Sequence, residues 1–120
     1  MGFLIRILVS ALAAMLTAYL LNPAVKVDSF VTALILALVL ALLNALVKPI
    51  LIFLTFPVTI ITLGLFLFVI NALIILLAAK LVPGFKVDGF WWALLFSIVM
   101  TIINSIMISL AGGNNKNNND

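Results

Sequence analysis

Lys26-Val27-Asp28-Ser29-Phe30-Val31-Thr32-Ala33-Leu34 returns later in the chain as Lys86-Val87-Asp88-Gly89-Phe90-Trp91-Trp92-Ala93-Leu94. The offset of 60 residues holds outward from this stretch without a gap. It pairs Val9 with Val69, Leu16 with Leu76, Ala18 with Ala78, Pro23 with Pro83, Val39 with Val99 and Asn44 with Asn104. Roughly a third of the positions aligned from Val9 to Asn44 are identical, which marks an internal repeat. The unit is a pair of apolar helices joined by a short Pro-x-x-Lys-Val-Asp loop, used twice.

Composition names the solvent. The 120 residues are 68% hydrophobic and 8% charged, with a mean hydropathy of +1.50. A chain this short cannot bury so much apolar surface in water, so the expected environment is lipid. With no His and no Cys, the usual zinc, haem and thiol ligands are missing, and no metal or cofactor is expected. The net charge of +3 is the balance of six basic residues, scattered along the chain, against three acidic ones. They form no nucleic-acid footprint and read as membrane-surface contacts.

A hydrocarbon core about 30 Å thick takes roughly 20 helical residues to cross. Four segments qualify: about Phe3 to Leu21, Phe30 to Val47, Ile60 to Ala79 and Phe90 to Ala111. Asn22-Pro23, Lys48-Pro49, Lys80 with Pro83, and Gly112-Gly113 are the expected stops. Asp28 and Asp88 sit where an N-cap is wanted for the second and fourth spans. The expected fold is an all-α integral membrane protein, with four transmembrane helices from a parallel duplication of a two-helix hairpin. The transmembrane domain covers 1–111, with repeat units at about 5–48 and 65–108 and a linker at about 49–60. Residues 112–120, Gly-Asn-Asn-Lys-rich and polar, read as a disordered tail. The first span, with Arg6 and Ala11-Leu12-Ala13, also has the outline of a signal peptide. Its alignment with the internal segment around Val69 to Leu81 argues that it is kept.

The linker Pro49-Ile-Leu-Ile-Phe-Leu-Thr-Phe-Pro-Val-Thr59 is apolar but too short to span. Two readings stand: an interfacial or re-entrant segment, or Pro57 simply opening the third span from its first turn. The loops Pro23 to Asp28 and Pro83 to Asp88 alternate apolar and charged residues. They read either as two short strands paired by the pseudo-symmetry or as plain extended turns. Trp91 and Trp92 follow at headgroup depth and read as interface anchors rather than a ligand cage.

Helix faces carry the functional candidates. Ala33, Ala37, Ala41 and Ala45 place a small residue at every fourth position of the second span; Ala93, Ser97, Thr101 and Ser105 match them in the fourth. Such rows let helices approach closely in lipid. The expectation is that these spans pack by their rows, against each other or across a subunit boundary. Asn44, Asn71 and Asn104 lie inside spans and should face protein or water, since an amide facing lipid is costly. They serve either as interhelical hydrogen-bonding glue or as a polar lining shared with Ser97, Thr101, Ser105 and Ser109. Lys26, Lys80 and Lys86 balance Arg6, Lys48 and Lys116 across the membrane. The terminal amine tips the positive-inside rule toward cytoplasmic ends.

The chain is similar to the bacterial phage holin family of membrane proteins, the four-transmembrane superfamily first associated with mycobacterial phage holins. The likeness rests on Asn44-Ala45-Leu46-Val47-Lys48-Pro49, on Phe56-Pro57 with Thr62-Leu63-Gly64, on Asn71-Ala72-Leu73, and on Val82-Pro83-Gly84-Phe85-Lys86-Val87-Asp88-Gly89-Phe90. The resemblance implies a small protein of the bacterial inner membrane that oligomerises and opens lesions for cell-wall lytic enzymes. It brings no catalytic residues. Two functions stay open: a membrane-permeabilising protein of holin character, and a non-lytic structural or accessory envelope protein. The expected partners are the lipid bilayer and further copies of the chain, with no nucleic acid and no small-molecule substrate evident. No nucleophile–base or carboxylate pair suggests an enzyme.

Overall fold

The computed structural model describes residues 2–110. The polar tail at 112–120, and the expected end of the fourth span at Ala111, lie outside the described residues. In chain order the elements are α1 (Phe3–Leu20), β1 (Val25–Val27), α2 (Phe30–Leu42), a π-helical turn (Leu43–Val47), α3 (Lys48–Leu54), α4 (Phe56–Ile61), α5 (Phe66–Leu81), β2 (Phe85–Val87) and α6 (Phe90–Ile108). The protein is mostly helical. Three helices are long and apolar enough to cross a membrane: Phe3–Leu20, Phe30–Leu54 and Phe90–Ile108. A fourth, Phe66–Leu81, is apolar and shorter.

Two boundaries differ from expectation. Lys48-Pro49 does not stop the second helix, which runs on through α3 to Leu54. The π turn explains the tolerance. Pro49 offers no N–H to the carbonyl of Ala45, and its ring would crowd that carbonyl in a regular helix. One residue earlier, the Lys48 N–H reaches back to the Leu43 carbonyl instead. The chain thereby gains a wide turn just where the ring needs room. The expected linker at 49–60 is accordingly helical over most of its length. Pro57 does sit in a first helical turn, but of the short α4 rather than of the third span.

The third span starts later than Ile60. Leu63 takes φ 58° and Gly64 φ 89°. The Gly64 N–H donates to the Thr59 carbonyl at 2.8 Å and the Leu63 N–H to the Ile60 carbonyl at 3.0 Å. This pair of bonds is a Schellman ending, which closes α4. Thr62 Oγ1 then accepts the Phe66 N–H at 3.2 Å and starts α5.

The loops form a ladder, so the fold is not purely helical. β1 and β2 are antiparallel, with Val25 opposite Val87, Lys26 opposite Lys86 and Val27 opposite Phe85. Two further bonds frame it: the Asp28 N–H to the Gly84 carbonyl at 3.0 Å, and the Asp88 N–H to the Ala24 carbonyl at 2.9 Å. Exchanging the two loops maps each of these pairs onto another, with Lys26 and Lys86 at the centre.

The helices form a ring around a shared interior. α1 packs on α2 and on α6, α5 packs on α6 and on α2, and α3 also meets α5. The loop half of that interior is filled by Val25, Leu36, Val82, Phe85 and Phe96, all fully buried. The rings of Phe85 and Phe96 meet at 5.3 Å and 52°, a favourable tilted geometry. The outside of the ring is covered with exposed Leu, Ile and Phe, as lipid contact requires.

Candidate functional site

The terminal half of the ring is not filled. A chamber of about 470 Å³ opens there, lined by α1, α2, the π turn, α3, α5 and α6. Its polar lining is Arg6, Ser10, Asn44, Lys48, Asn71, Ser97, Thr101 and Asn104, interleaved with Ile7, Leu40, Ile74, Ile75 and Met100. Helical rise sets the depth of each group. At 1.5 Å per residue from the loop-side ends, Ser97 lies about 10 Å along, Asn71 about 15 Å and Thr101 about 16 Å. Asn44, Asn104 and Arg6 lie about 21 Å along, and Lys48 about 27 Å. Along the helices, then, Ser97 lies nearest the loop side, Asn71 and Thr101 share the next level, Asn44, Asn104 and Arg6 the one after, and Lys48 stands about a turn beyond them.

All three mid-span asparagines meet in this one place, which sequence alone left as two alternatives. Among the described residues, no hydrogen bond joins one of these amides to another. The Oδ1 of Asn104 is buried without a hydrogen-bond partner, while Asn44 and Thr101 are exposed. Ser97 turns its hydroxyl back to the Leu94 carbonyl at 2.8 Å. Arg6, Ser10 and Lys48 were not among the expected lining residues. The signal was present as i, i+4 spacing: Arg6 with Ser10, Asn44 with Lys48, and Ser97 with Thr101.

The small rows are divided. Ala33 and Ala37 are buried against Ala11 of α1, with Ile7, Met15, Val27 and Leu34 around them. Ala93 and Ser97 are buried in α6, where Ala93 joins the main core. Ala37, Ala41, Ser97 and Thr101 line opposite walls of the chamber. The second and fourth spans thus face each other across space within one chain, and do not lock together by their rows as one of the two expectations had it. α2 is held instead by α1 and α5. Ala45 and Ser105 end on the outer surface, exposed.

The caps are one residue later than expected. Asp28 and Asp88 do not cap α2 and α6; their backbone N–H groups are engaged in the ladder. Ser29 caps α2, its Oγ accepting the Thr32 N–H at 3.2 Å. Gly89 stands at the matching position of α6 and has no side chain to offer. Pro23 and Pro83 precede the ladder and are exposed, as are Lys26 and Lys86 on its outer side. Trp91 and Trp92 are exposed at the start of α6, with Trp91 edge-on to Phe90 at 5.4 Å.

A ring of apolar helices around a polar half-chamber defines a multi-pass membrane protein. The chain belongs to the family described as mycobacterial four-transmembrane-segment phage holins, superfamily IV, which it matches over residues 1–106. Two curated relatives are similar over about half their length. The Bacillus subtilis (strain 168) protein YvlD, described as an uncharacterized membrane protein, is 42% identical over 62 residues, covering 51% of this chain and 52% of its own. The Streptomyces coelicolor protein SCO3922, described as uncharacterized, is 52% identical over 62 residues, covering 48% of this chain and 50% of its own. No solved structure matches the chain.

Proposed function

We propose that the protein is a non-enzymatic, holin-type membrane protein that admits water and small solutes to the bilayer through the polar chamber, working as an assembly of several copies. The observation that carries this reading is the convergence of Asn44, Asn71 and Asn104 with Ser97 and Thr101 on one open chamber inside an apolar ring. Amides in such a place keep their hydrogen bonds only if water enters. In a single copy the path ends at the Phe85–Phe96 plug, so a through-path calls for displacement of that plug within an assembly. Ala45 and Ser105, small and exposed, offer the outer contact for it.

The same reading takes the chain as a doubled hairpin, with units at about 5–48 and 65–108. The self-mirroring register of the Lys26–Lys86 ladder supports it. Two spans per unit give both units one orientation, unlike the inverted repeats of many transporters. Arg6 and Lys48, together with the terminal amine, favour a cytoplasmic face for the end that carries the termini, in the bacterial inner membrane. Trp91 and Trp92 then anchor the opposite interface.

Controlled expression tests the reading. Membrane potential should collapse after a delay, and a co-expressed muralytic enzyme should be released. Asn44→Leu, Asn71→Leu and Asn104→Leu together should suppress the collapse while membrane levels stay the same. A second reading, a non-lytic accessory protein of the envelope, is favoured by the apolar plug. Steady growth with an intact potential at high membrane levels selects it over the first.

A further inference from the structure

Arg6 and Lys48 both line the chamber, and no acid lines it. The acidic side chains among the described residues are Asp28 and Asp88, both at the ladder end, about 20 Å of helix away. Two cations that line one cavity inside an apolar ring draw an anion into it. Lys48, about 27 Å along its helix from the loop side, comes close to the far edge of a hydrocarbon core about 30 Å thick, and Arg6, about 21 Å along, lies deeper but has a side chain long enough to reach toward the phosphates beyond that edge. An arginine fork beside a lysine point charge suits phosphate.

Level with Arg6, and about a turn short of Lys48, the chamber offers the neutral amides of Asn44 and Asn104, and Asn104 Oδ1 is buried with no partner. That atom is an acceptor, and turning the Asn104 amide toward the chamber it lines satisfies it where the occupant brings a donor. At about 470 Å³ the space is of ligand size. A choline headgroup brings no donor, and the ammonium of a serine or ethanolamine headgroup would face Arg6 and Lys48. A glycerol hydroxyl supplies the donor without that repulsion.

We propose that the chamber binds a phosphoglycerol group, its phosphate held between Arg6 and Lys48 and a glycerol hydroxyl donating to Asn104 Oδ1. An anionic lipid headgroup and free glycerol phosphate both carry this chemistry. The inference rests on the open chamber of the reading above and not on permeation, so a protein that leaks nothing can still bind.

The test uses the full chain in phosphatidylcholine nanodiscs with rising phosphatidylglycerol, and counts retained phosphatidylglycerol by native mass spectrometry. Arg6→Gln with Lys48→Gln should lower retention at least tenfold. Lys26→Gln with Lys86→Gln, which removes the same charge from the ladder end, should leave it unchanged. Asn104→Leu should weaken phosphatidylglycerol retention and spare phosphatidic acid, which lacks the glycerol hydroxyls. In a second arm, glycerol phosphate is added to discs of phosphatidylcholine alone. A rise in thermal midpoint that Arg6→Gln with Lys48→Gln abolishes assigns a soluble ligand, and its absence alongside retained phosphatidylglycerol assigns the lipid. Equal retention by the two double variants, with no response to glycerol phosphate, overturns the proposal.

Discussion

Gly84 shows how much one residue decides here. It takes φ +90°, and a Cβ placed on it would stand 2.9 Å from Asp28 Oδ2 and 3.1 Å from Thr32 Oγ1. Its repeat mate Ala24 carries that Cβ without difficulty, buried on the other side of the ladder. Gly64 has a similar φ of +89° but nothing within 4 Å. Gly64→Ala should therefore cost about 1 kcal/mol for the left-handed backbone alone. Gly84→Ala should cost more, about 2–3 kcal/mol, because strain and crowding add. Reversible unfolding in mild detergent measures both; equal losses would mean that Asp28 and Thr32 simply step aside. Ser29→Ala should cost about 1 kcal/mol by freeing the Thr32 N–H. Sequence placed the cap on Asp28 because an aspartate ahead of an apolar run is a strong start signal. It could not show that the Asp28 N–H is already spent on Gly84 across the ladder, which shifts the helix start by one residue.

At the scale of elements, the ladder and the second helix were legible to different degrees. The repeat put two alternating loops at the same end of the molecule, so pairing was foreseeable; the register was not, because it depends on how the hairpins meet. That register sets Lys26 directly opposite Lys86. Like charges across a strand pair are destabilising, and opposite charges contribute roughly 0.2–1 kcal/mol. Lys86→Glu should thus raise the thermal midpoint by a few degrees, with the gain shrinking as salt is added. A gain that survives high salt would point to packing instead. The second helix misled because Pro49 is a stop signal in isolation. The π turn at Leu43–Val47 absorbs the ring, an accommodation that involves carbonyls up to six residues upstream and leaves no mark in the local pattern. Continuation also carries Lys48 onto the chamber lining.

For the whole molecule, the question is which small residues are already used. Sequence offered two four-residue rows as one packing device. The ring splits them: Ala33 and Ala37 hold α2 to α1 inside the chain, Ala41 and Thr101 face the chamber, and Ala45 and Ser105 are left outside. Bulk at these places should therefore act differently. Ala37→Leu inserts about three heavy atoms into a contact with Ala11 and should destabilise each copy by about 1–3 kcal/mol. Leu36→Ala should cost about 2–5 kcal/mol, because Leu36 is fully buried. Ala45→Leu and Ser105→Leu touch neither core, so unfolding of the single chain should be unchanged. If copies meet through that outer face, these two variants should reduce the mass of the assembly in lipid nanodiscs or detergent, while a bulky change at exposed Leu4 on α1 leaves it intact. Unchanged mass in both would mean that copies do not meet through this face, and the proposed opening of the plug at Phe85 and Phe96 would get no help from it.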